Sequence, residues 1–211
     1  MKIIATNIAQ PTTFMWKGDV VKTGIFKKPI SQPIYLSKNE VKKDEISDRV
    51  HHGGPYKACY LFSSDHYPYW KTLYPNLDWD WGMFGENLTV SGFDERDVFL
   101  GDVYQVGEAL VQVSQHREPC YKLGYKFGTQ EVIQQFIQYG FAGTYLTVLK
   151  EGMVAVDDVF TLVERPKDSL TVAAFFKLFY AKEKDQELLK IAVNSQALPP
   201  KKRVWLRKYL K

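Results

Sequence analysis

Cys120 stands in the run SQHREPCYKL, residues 114–123, with Arg117 three positions before it and Lys122 two after. The thiolate is the form of cysteine that attacks electrophiles or binds metals. Neighbouring cations lower a thiol pKa, whereas apolar burial raises it. The charges around Cys120 therefore fit a reactive or ligating thiol, and they fit an incidental loop cysteine equally well. Cys59, in KACYLFS, lies in an apolar run and reads as a small buried strand residue. Two cysteines without a C-x-x-C pair imply neither a disulfide framework nor structural zinc, and they point to a reducing, cytoplasmic compartment.

Two further stretches could serve such a thiol. In VHHGGPYKA (50–58), Gly53 and Gly54 permit positive φ and close approach of backbone N–H groups to a ligand, while Lys57 could meet an anion. A tight turn with structural histidines at 51 and 52 is the plainer reading. In MFGENLTVSG (83–92), Glu86 offers an acceptor and Asn87 a two-sided amide, although the run also reads simply as a strand start. The aromatic run YPNLDWDWGMF (74–84) could wall a pocket, form a lid or pack in the core. No H-E-x-x-H, G-x-S-x-G, Walker A or strand-linked G-x-G-x-x-G occurs. A cysteine hydrolase pairing Cys120 with His51 or His52 stays open, because such partners meet only in the fold.

The elements that must hold these residues are mostly strands. Thirteen Tyr, thirteen Phe and five Trp among 211 residues favour a pleated, half-buried surface. Eight short runs bounded by turn residues fit a barrel or sandwich: KIIATNIAQP, QPIYLS, KACYLFS, ENLTVSG, DVYQVG, ALVQVSQ, TYLTVLK and VFTLVER. DVYQVG and ALVQVSQ read as one hairpin turning at Gly107 and Glu108, which delivers the chain to a loop holding Cys120. Helices are expected in SSDHYPYWKTLYP, capped by Ser64 or Asp65, and in TQEVIQQFIQYGFAG, capped by Thr129.

Near residue 167 the period changes. Val172, Phe175, Phe176 and Phe179 recur at helical spacing behind Ser169 or Thr171 as caps, and two more helical runs follow. The reading is a β body over residues 1–165 and a docked three-helix domain over 167–211. The net charge of +4 is concentrated in residues 201–211, which carry six Lys or Arg and no acid, so the rest of the chain is slightly acidic. A terminal helix explains this better than a nucleic-acid footprint, which would spread over a face. No apolar run reaches membrane-span length and no signal peptide is evident, so neither membrane nor nucleic acid is an expected partner.

Taken in order, VHHGGPYKA, FGENLTVSG and GDVYQVGEALVQVSQHREPCYKL resemble the MOSC domain family, and in particular its stand-alone bacterial branch with an appended three-helix domain. The resemblance implies a mainly β fold, a compact antiparallel MOSC β-barrel with a few short helices. It also implies a molybdenum cofactor, molybdopterin, whose metal is bound by Cys120. Arg117 would assist as a catalytic residue and meet the anionic dithiolene or phosphate, and His52, Gly53, Gly54, Lys57, Glu86, Asn87 and Lys122 would line the same cleft. The implied activity is oxidoreduction: N-hydroxylated bases or related small N-oxygenated compounds are reduced to amines, with electrons from a separate reductase because the chain carries no flavin, haem or nicotinamide motif. A sulfur carrier or cofactor-delivery module using a Cys120 persulfide is the alternative. Two departures from the family pattern lie near the entrance: Tyr56 replaces an acidic residue after H-G-G-P, and KKD at 42–44 replaces E-G-D, so Asp44 survives alone.

Overall fold

In the computed structural model, residues 1–47 and 53–211 are described. The strands are β1 (Lys2–Ile8), β2 (Thr12–Trp16), β3 (Asp19–Thr23), β4 (Lys28–Ile30), β5 (Ile34–Leu36), β6 (Cys59–Ser63), β7 (Leu88–Ser91), β8 (Val103–Val106), β9 (Ala109–His116), β10 (Thr144–Lys150), β11 (Gly152–Val154) and β12 (Thr161–Glu164). The helices are α1 (Tyr67–Leu73), α2 (Tyr121–Phe127), α3 (Glu131–Tyr139), α4 (Val172–Tyr180), α5 (Gln186–Asn194) and α6 (Pro200–Arg207). All eight runs marked by alternation and turn residues are strands.

Eight strands form one sheet in the order β12-β8-β9-β10-β6-β7-β1-β4. The sheet curls back on itself. The chain entering β12 hydrogen-bonds to the start of β1, from Ile3 N–H to Asp158 carbonyl at 2.9 Å and from Phe160 N–H to Met1 carbonyl at 3.0 Å. Closure thus rests on a short bridge rather than on a full strand ladder. The sheet is also mixed, which corrects the expectation of an antiparallel barrel: β6 and β7 run parallel, with Leu61 opposite Leu88. The reason is the connection, since α1 lies between them and carries the chain back across, as a parallel pair requires.

The β8–β9 hairpin turns at Gly107 and Glu108, with Val106 opposite Ala109. Gly107 adopts φ +49°, and a Cβ there would come within 2.6 Å of the Met153 carbonyl oxygen, so the position is closed to side chains. A second hairpin, β2–β3, turns at Lys17 and Gly18.

Two apolar clusters flank the sheet. One runs from Ile3, Leu36, Val106 and Val111 to Phe175, Leu189 and Leu206, so the three C-terminal helices share a continuous core with the strands. Thr171 caps α4 by accepting from Ala174 N–H, a contact of about 1 kcal/mol. The other cluster is aromatic, built on Trp70, Phe84, Phe127 and Phe136 beneath α1–α3. The run 74–84 contributes Phe84 to this core, fully buried, and no residue of that run lines the thiol cleft described next. No helix among the described residues is long and apolar enough to cross a membrane.

Candidate functional site

Beyond His116 at the end of β9, Arg117, Glu118 and Pro119 lead to Cys120, which is the residue preceding α2 rather than part of a free loop. Its extended backbone, φ −133° and ψ 168°, sets the half-buried thiol where strand turns into helix. The thiol borders a cleft of about 100 Å³, or about 670 Å³ when its solvent-open mouth is counted. Arg117, Cys120, Lys122, Lys57, Gly53 and Asn87, all anticipated from sequence, line it together.

Each is held differently. Lys122 donates from Nζ to the Lys22 carbonyl at 3.3 Å, tying α2 to the end of β3. Lys57 extends over the Tyr145 ring, 5.5 Å from its centroid. Gly53 has φ +82°, and the N–H of Gly54 donates to the Asn39 carbonyl at 3.0 Å. Gly54 therefore shapes the turn and does not itself line the cleft. His52, with His51, lies outside the described residues.

Glu86 requires a correction. It is fully buried and absent from the cleft wall. Its Oε1 accepts from the Tyr67 hydroxyl, from Gly82 N–H at 2.9 Å and from the Thr89 hydroxyl at 2.9 Å, and its Oε2 accepts from Phe84 N–H at 3.0 Å. Both residues precede β7, directly after Gly85 at φ +80°, and there Glu86 turns back to accept from the N–H groups of the 82–84 turn while Asn87 faces the cleft.

Among its other lining residues, Lys27, Tyr60 and Tyr145 were not anticipated from sequence, and Asp44 was anticipated only as the survivor of an entrance motif. Asp44 forms a buried ion pair with Lys27, the side chains retaining 3% and 8% of their exposure. The Asp44 carboxylate also accepts from Ala9 N–H at 2.8 Å and from Asn87 Nδ2 at 2.8 Å. Asn87 in turn accepts from Tyr60 N–H at 3.2 Å, so one polar chain joins β6, β7 and the 44–47 loop. Burial pushes the Tyr145 hydroxyl up to about 12, against the opposing pull of Arg117.

Arg117 is buried at the cleft. Its guanidinium lies 5.3 Å from the Tyr60 ring centroid and 5.5 Å from that of Phe136, favourable cation–π positions. Burial works against its charge, but Tyr60, Tyr145, Cys120 and Glu86 outweigh that and hold its pKa above the ordinary value. Nη1 is buried without a hydrogen-bond partner. Among the described lining residues, Lys27, Lys57, Arg117 and Lys122 face only Asp44 and Glu45. The cleft is cationic, carries an unused guanidinium donor and is bordered by a thiol. Among the described residues no three His, Cys, Asp or Glu side chains converge to hold a metal ion.

Residues 48–161 match the MOSC domain. The chain belongs to the MOSC domain family. YflK of Bacillus subtilis is 35% identical over 196 residues, covering 93% of this chain and 88% of YflK. A Gibberella moniliformis protein named reductase is 31% identical over 175 residues, 82% of this chain but only 31% of that protein. The crystal structure of YiiM from Geobacillus stearothermophilus superposes with a TM-score of 0.83 at 32% identity, covering 100% of this chain and 99% of that one. Within this MOSC protein the matched segment supplies Gly53, Lys57, Asn87, Arg117, Cys120, Lys122 and Tyr145, whereas Lys27 and Asp44 reach the cleft from the preceding residues.

Proposed function

We propose that this MOSC protein is a cytoplasmic oxidoreductase that holds a molybdenum cofactor in the thiol cleft and reduces N-hydroxylated bases or related N-oxygenated compounds to amines. The observation that carries this reading is the pairing of Cys120 with the buried, unpartnered Nη1 of Arg117 in one cationic cleft. An unpaired buried donor is costly, and an anion on it removes that cost. A lone thiol suits a metal whose remaining ligands arrive with an organic cofactor, because the protein supplies no ligand cluster of its own among the described residues.

When bound, the cofactor supplies a two-electron centre able to take an oxygen atom from an N–O bond. The chain's own residues do the rest. Cys120 supplies a thiolate to the metal, and Arg117 offers its planar donors to the dithiolene or phosphate. Lys57 and Lys122 add positive charge, and Asn87, fixed by Asp44 and Tyr60, orients a polar edge of the ligand. The Lys27–Asp44 pair holds that wall in place. Electrons come from a separate reductase.

The test is reduction of an N-hydroxylated base by cofactor-loaded protein with a chemical reductant. Wild type is expected to form the amine and Cys120→Ala to lose at least a hundredfold in rate. Equal turnover by a metal-loaded Cys120→Ala variant removes the thiol from the mechanism. The carrier reading is favoured only by the half-buried state of Cys120. It predicts an added sulfur atom on Cys120 after exposure to a desulfurase, read by mass spectrometry.

A further inference from the structure

A second groove, about 760 Å³, adjoins the thiol cleft and shares Gly53 and Lys57 with it. It lies between the turn at 55–57, the end of β9 and the start of α6. Its volume falls within the roughly 300–1,000 Å³ usual for small-molecule sites. Three aromatic side chains, Tyr56, Phe179 and Trp205, contribute to its wall, with the last two rings 5.1 Å apart.

Gln115 also lines the groove. It is 1% exposed, and neither its amide oxygen nor its amide nitrogen has a hydrogen-bond partner. A carboxamide is the side chain that pairs in bidentate fashion with a base edge presenting one donor and one acceptor.

The charge around the groove is mainly positive. Helix α6 begins at Pro200 behind Pro199, with no side-chain cap and no acid in its first turn. Its N–H of Lys201 is one of those that no intrahelical carbonyl can accept. Lys201 and Lys202 occupy this first turn, where the helix dipole disfavours cations and favours anions. Lys202 is paired with Glu118 at 2.6 Å, but Lys201 is exposed, and three lysines face the single Glu118 around the groove.

We propose that this groove binds a nucleoside monophosphate, its base against the aromatic wall with its edge on Gln115 and its phosphate at the start of α6. This rests on the proposed function: the base chemistry treated at the thiol would then be presented as a nucleotide rather than as a free base. The same chemistry, a base bearing a phosphate, also occurs at the end of a dinucleotide form of a pterin cofactor.

The test is calorimetric titration of the full-length protein with adenosine 5′-monophosphate, adenosine and inorganic phosphate. The monophosphate is expected to bind at least tenfold more tightly than either fragment, with at least a tenfold loss in Lys201→Glu. Gln115→Leu is expected to weaken binding similarly while raising the unfolding temperature, because it removes an unpaired buried amide; a merely structural glutamine would lower both. Equal, weak binding of all three probes, or tight binding indifferent to both substitutions, overturns the proposal. A stoichiometric nucleotide released by acid from cofactor-loaded protein also overturns it, by giving the groove to the cofactor. Titration of Cys120→Ala separates the two readings: its binding of the monophosphate survives a failure of the cofactor assignment, whereas cofactor loading without nucleotide binding defeats this inference alone.

Discussion

Glu86 and Arg117 are both ionisable, both buried and both beside the aromatic cluster, and their surroundings differ sharply. Glu86 is met by four donors drawn from Tyr67, Gly82, Phe84 and Thr89. Arg117 rests on two rings and keeps Nη1 unpaired, with an unpaired Gln115 amide and an unpaired His116 imidazole immediately before it. Three successive residues of β9 and its exit thus carry buried polar atoms without partners. A folded chain rarely tolerates this without return. The comparison separates a charge that holds the fold from charges held ready for something else.

Breaking the satisfied side has the largest expected effect. Glu86→Ala strands two backbone N–H groups and two hydroxyls and is expected to cost on the order of 3–5 kcal/mol in urea unfolding, because each buried group left unpaired costs about 1–3 kcal/mol. A loss well under 1 kcal/mol contradicts the structural role given to this carboxylate.

An intermediate effect is expected from His116. Its ring lies within 5.0 Å, centroid to centroid, of those of Phe175, Phe176 and Phe179. Burial, with Lys202 and Lys57 nearby, holds its pKa well below the ordinary histidine value of about 6.5. The unfolded chain therefore binds a proton that the folded chain refuses, so stability is intact above about pH 6.5 and falls as the pH drops below it. Measured as unfolding midpoints between pH 7 and 5, His116→Phe should flatten this decline; an unchanged slope assigns the acid sensitivity elsewhere.

The smallest effect on stability is expected where the partner is missing. Arg117→Met exchanges an incompletely paired charge for an apolar side chain of similar length, and the unloaded protein should change by less than about 1 kcal/mol. Cofactor retention should fall at the same time. A loss as large as that of Glu86→Ala would make Arg117 structural and sharpen the comparison in the opposite sense.

The site was legible where it is local. Cys120, Arg117 and Lys122 fall within six residues, and Gly53, Lys57 and Asn87 sit in short motifs that are ambiguous singly and point to one cleft only as an ordered set. Asp44 was noted only as the survivor of an entrance motif, and its partner Lys27 escaped because it lies 17 positions away and meets Asp44 only through the fold. Helix α2 was not marked in the sequence, and Gly124 lies in its middle, where glycine disfavours helix. In the fold, the Gln130 amide occupies the space beside Gly124, so a larger residue there would displace that side chain from its hydrogen bond to the Tyr121 carbonyl. The parallel β6–β7 pairing was hidden for a related reason, since strand patterns reveal which residues face the core but not the direction in which a crossover returns the chain.

The most direct test of the central claim is the molybdenum and pterin content of wild type and Cys120→Ala, purified from a host that makes the cofactor. The account predicts near-stoichiometric metal and pterin in wild type and loss of metal in the variant. A wild-type protein free of both, or a variant that retains its molybdenum in full, would contradict it.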